Sequence, residues 1–137
     1  MSRIYDPDSA GKQRIRLSKE VVLALRELMK QSSPDEISRD LAAFVAIALF
    51  QIHQTVEQSV AAWEKRGYWL KADRFRLDWE WSALLGERMR IAILNDDWTA
   101  VASTSVQIGQ KLMAVKITEH HRLGKPWVGA WKQLAKT

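Results

Sequence analysis

The chain has 137 residues, with 21 Lys and Arg against 16 Asp and Glu for a formal net charge of +5, and is 47% hydrophobic. That length suits one domain with its own core, and the composition excludes a disordered or collagen-like chain. The absence of Cys removes disulfides, thiolate nucleophiles, iron–sulfur clusters and Cys-based zinc sites together.

The opening stretch, MSRIYDPDSAGKQR, lacks the apolar segment of a secretory signal, and the longest apolar run, Leu41 to Phe50, is about half of what spans a bilayer. A cytoplasmic protein without a transmembrane segment is expected. Residues 1–17 show no apolar periodicity and read as an irregular basic arm, leaving 18–137 as a single helical domain. Ser18 suits a helix cap with Leu17 and Val22 as a hydrophobic staple, and Val21, Val22, Leu25, Leu28 and Met29 continue as an apolar stripe over 18–31. Ser33, Pro34 and Glu36 form a capping box that opens a second helix over 34–66, ending where Lys65 and Arg66 precede Gly67. Its middle is apolar almost all round, as in a helix enclosed by others.

The segment 68–94 contains a strand-like alternation from Phe75 to Ser82. It nevertheless lacks Val, Thr and Pro up to Arg90, and it places Arg74 and Arg76 four residues before Asp78 and Glu80, so a helix is the better reading. At 100° per residue Tyr68, Ala72, Phe75, Trp79 and Ala83 fall on one side, with Leu70, Leu77, Trp81 and Leu84 opposite. Asn95, Asp96 and Asp97 start a fourth helix, expected over 96–123 because Gly124 and Pro126 follow, and Trp127, Trp131 and Leu134 place a short amphipathic helix at 127–135. The expected fold is all-α, an antiparallel bundle of four main helices plus a short C-terminal one.

Catalytic and cofactor signatures are sparse. The chain contains no Glu-x-x-His pair, so a carboxylate-bridged metal centre has no foundation, and no cofactor is assigned. Ala10-Gly11-Lys12-Gln13 fails as a phosphate loop because Asp6 stands at the first Gly and Gln13 at the Ser or Thr. If a small-molecule or catalytic pocket exists between helices, His53, Glu57 and Trp63 are its candidates by position. The basic excess falls at the two ends, where Arg14, Arg16, Lys19, Arg122 and Lys125 are candidate anion-binding residues for a nucleic-acid accessory role.

Seven Trp residues are many for this length, and Trp79 and Trp81 project about 200° apart from one helix. A helix with two apolar faces needs neighbours on both, and a symmetric homodimer supplies one, with Leu77, Trp81 and Leu84 as candidate interface residues. The leading expectation is therefore a non-enzymatic helical interaction protein that acts as a homo-oligomer or holds another protein.

Overall fold

The structure, a computed structural model, is described for residues 7–136, with side chains from Ser9 onward. Five helices pack on one another, α1 (Pro7–Met29), α2 (Glu36–Lys65), α3 (Trp69–Leu94), α4 (Trp98–Lys111) and α5 (Ala130–Ala135), with no strand among the described residues. The all-α bundle read from the sequence is therefore the fold. Helix α2, about 45 Å long at 1.5 Å per residue, is the axis on which α1, α3 and α5 all pack. Its apolar middle is the core itself: Leu41, Val45, Leu49, Ile52 and Val56 are fully enclosed.

Small residues set the distance between α2 and α3. Gly86 on α3 is buried against α2, where a Cβ placed on it would lie only 3.0 Å from the Leu49 Cβ and 3.7 Å from the Ala46 carbonyl oxygen. Helix α4 has a looser attachment. It packs on α3 and barely touches α1, leaving between α1 and α4 an open apolar cleft of about 630 Å³ lined by Leu25, Leu28, Met29, Val101, Val106 and Met113.

The boundaries of α1, α2, α4 and α5 correct the sequence reading, α5 starting at Ala130 and not at 127. Helix α1 begins at Pro7, not Ser18, so the expected arm is helical over 7–17; its remainder, 1–6, lies outside the described residues. The inward stripe runs Ala10, Arg14, Leu17, Val21, Ala24 and Leu28, and the cation within it disguises the periodicity. Ser18, expected as a cap, is a buried residue in mid-helix. Helix α2 is capped by Asp35 instead of Ser33: the Asp35 carboxylate accepts the Ser38 N–H and the Ser38 hydroxyl, each at 2.9 Å.

On α3, Arg76 pairs with Glu64 at 3.5 Å and Asp73 at 3.4 Å, not with Glu80. Arg74 forms no ion pair with Asp78. Helix α4 stops at Lys111, not Leu123: the Val115-Lys116-Ile117-Thr118 stretch alternates β-branched and polar residues, a poor continuation for a helix. The non-helical connection that follows returns to α2, where Asp40 accepts the backbone N–H groups of Gly129 at 3.2 Å and Trp131 at 2.9 Å. Trp127 is buried there and Trp131 packs against the same core, so both dock on the bundle.

Candidate interaction surface on helix α3

Only one face of α3 is covered. Ala72, Ser82, Leu85, Met89 and Ile93 point into the core. On the other side Leu70, Leu77, Leu84 and Ile91 are 67%, 68%, 60% and 49% exposed, and each lies seven residues from the next. A seven-residue apolar repeat keeps to one line along a helix and is the pattern that a second helix packs against. The line extends about 32 Å. Arg74, Trp81 and Arg88 interleave with it four residues after each Leu, so the stripe reads Leu, Arg, Leu, Trp, Leu, Arg, Ile.

Trp81 does not serve this face as its Cα position implied. Its ring stacks on that of Trp79 with centroids 5.7 Å apart, and both rings are half-buried against the core. On the helical wheel the small, buried Ser82 falls between them, and side-chain rotation brings together two rings whose Cα–Cβ vectors diverge. Of the three expected interface residues, Leu77 and Leu84 stand free on the surface, while Trp81 is tied to the core. Leu70 and Ile91 complete the line; their seven-residue spacing was the signal in the sequence that would have added them.

Trp79 in turn continues an aromatic chain that ends at Trp63. Phe75 lies 6.3 Å from Trp79 and meets Trp63 edge-on at 4.8 Å. Arg14 from α1 closes this cluster. Its guanidinium sits 4.6 Å from the Phe75 centroid and 5.8 Å from that of Trp79, and donates to the Thr55 hydroxyl at 3.2 Å and the Ser59 hydroxyl at 3.3 Å. This cation is thus turned inward, bound by π faces and hydroxyls, rather than offered to an external anion.

The other anion candidates are divided between two segments. Arg16 and Lys19 lie on α1, whereas Arg122 and Lys125 are exposed on the connection before α5, which is fastened at Asp40. Asp40 and Ser59 are about 28 Å apart along α2. The three pocket candidates also separate. His53 lines a cleft of about 750 Å³ between α2, α3 and α5, together with Phe50, Gly86 and Arg90; Trp63 lines a different depression beside Lys71 and Phe75; Glu57 is exposed and lines neither.

Among the described residues no three His, Asp or Glu side chains gather as metal ligands, no buried side-chain N or O atom lacks a partner, and no helix is long and apolar enough to cross a membrane. Comparison of the chain with protein-family models, with curated proteins and with solved structures finds no match.

Proposed function

We propose that the protein is a non-enzymatic helical interaction protein that acts as a homo-oligomer, with the outer face of α3 as the contact. The supporting observation is the line of Leu70, Leu77, Leu84 and Ile91, four large apolar side chains at heptad spacing and about half or more exposed. A heptad line is best covered by another, and a second copy of α3 offers one.

The order of residues favours an antiparallel pair. Read from either end, the stripe alternates apolar residues with Arg about position 81, so a reversed copy presents the same order of residues. In that register Leu77 faces Leu84 and Leu70 faces Ile91 of the other copy, while Arg74 and Arg88 lie at the edge of the line. Burial of four such side chains on each copy offers an apolar centre with a charged rim, the composition of a stable interface.

Light scattering on a size-exclusion column tests this reading. A mass of two chains is expected, falling to one chain in the Leu77→Glu, Leu84→Glu double variant with the helical circular dichroism unchanged. A wild-type chain that elutes as a monomer throughout a concentration series overturns it.

A further inference from the structure

The α2–α3 turn carries a second feature, which shares only Leu70 and Arg74 with the end of the outer stripe. Gly67, with φ of 81°, reverses the chain there, and the residues around the turn alternate aromatic and basic: Trp63, Lys65, Arg66, Tyr68, Trp69, Lys71, Arg74, Phe75. A shallow depression of about 800 Å³ opens among them, lined by Trp63, Tyr68, Trp69, Lys71, Arg74 and Phe75 together with one carboxylate, Asp78.

The rings divide into two kinds. Trp63 and Phe75 form the floor and are already engaged, with each other and with the Lys71 and Arg14 cations at 4.5 Å and 4.6 Å. Tyr68 and Trp69 are 55% and 61% exposed and make no ring contact among the described residues. Nothing in packing explains two adjacent large rings left in water. The cations also divide. Arg76 is held by Glu64 and Asp73, whereas Lys65, Arg66 and Arg74 are exposed and form no ion pair among the described residues.

Free planar rings alternating with free cations match a ligand that alternates planar rings with phosphates. We propose that this depression binds unpaired nucleotides of a single-stranded nucleic acid, with a base stacked on Trp69, a second on Tyr68, and the linking phosphates held by the free cations Arg74, Lys65 and Arg66. A duplex hides its base faces and cannot use the rings. A bilayer is a poorer fit, because the site is concave, whereas interfacial insertion needs a continuous apolar surface that protrudes. The arrangement requires neither the candidate anion-binding residues at the chain ends nor the pairing of α3.

The test is fluorescence anisotropy of the full chain with a labelled oligothymidylate over a salt series, beside the same measurement with a duplex and co-sedimentation with phosphatidylserine vesicles. The single strand should bind at low salt and more tightly than the duplex. Trp69→Ala should weaken binding by about tenfold and Trp69→Phe should largely restore it, since stacking needs only a ring. Arg74→Ala should lower the slope of log affinity against log salt by about 0.7, one phosphate's share for a single strand. Both side chains are exposed, so neither change threatens the fold. Absence of binding at low salt, equal binding of duplex, an unchanged affinity in Trp69→Ala, or binding to vesicles alone would each overturn the proposal. The Leu77→Glu, Leu84→Glu variant should retain the oligonucleotide affinity of an isolated site, which separates failure here from failure of self-association.

Discussion

The carboxylate of Asp40, near the start of α2, accepts the backbone N–H of Trp131 at 2.9 Å across 91 positions of sequence, and caps α5 from outside the helix. The preceding Gly129 has φ of 82° and no side chain to cap with, so the acceptor comes from elsewhere in the fold. Asp40→Ala should cost about 1 kcal/mol and release α5, whereas Asp40→Asn should keep most of the stability because an amide oxygen still accepts. Thermal melts, followed at the near-ultraviolet signal of Trp127 and Trp131, check this.

Arg14 joins three helices through its hydroxyl and π contacts. Arg14→Ala should destabilise the protein by about 1–3 kcal/mol, the range for lost charge-assisted hydrogen bonds and cation–π contact. Arg14→Lys should recover only part, because one ammonium cannot lie flat on two rings and reach both hydroxyls. Urea unfolding of the three proteins gives the comparison.

Two helical glycines should respond with opposite signs. At Gly86 an added Cβ meets the Leu49 Cβ at 3.0 Å, so Gly86→Ala requires the α2–α3 contact to give by a few tenths of an ångström and should cost about 1–3 kcal/mol. At Gly109 nothing lies within 4 Å, and Gly109→Ala should stabilise by about 0.5–1 kcal/mol through helix propensity. Denaturation midpoints of the two variants decide it.

Two carboxylates give the stability a pH dependence with opposing signs. Hydrogen bonds from the Ser38 N–H and hydroxyl hold Asp35 below its ordinary value of 3.8, so its cap stabilises α2 above that pH and is lost as pH falls through the lowered value. Burial raises Glu20 above 4.5, against the attraction of Arg16; its charge therefore works against folding at neutral pH, and the penalty disappears as pH falls below 4.5. Glu20→Gln should raise the melting temperature at pH 7 and leave it unchanged well below pH 4, while Asp35→Ala should lower it at pH 7 and lose that effect in acid.

The fold class, the central place of α2 and the turn at Gly67 were legible because each rests on a local rule: an apolar helix surface, and a glycine after a basic last turn. Arg14 shows where such rules stop. Its position in the inward stripe makes sense only beside Phe75 and Trp79, which lie more than sixty residues away in sequence. Trp81 was misplaced for a related reason, since a helical wheel gives the direction of Cβ and not of a ring with two further torsions. The exposed side of α3 was visible as a second apolar face, but its extension to Leu70 and Ile91 required counting in sevens as well as in turns.

The loose seating of α4 bears on how the molecule comes apart. A helix held chiefly by α3, with an open cleft on its other side, has few contacts to break and should form the first unit to open under native conditions. Amide hydrogens of α4 should exchange at free energies well below those of Leu41 to Val56 in α2, whose release requires the whole protein to unfold. Fluctuation is thereby concentrated beside Met29, Val106 and Met113, at the part of the bundle where α1 and α4 scarcely meet.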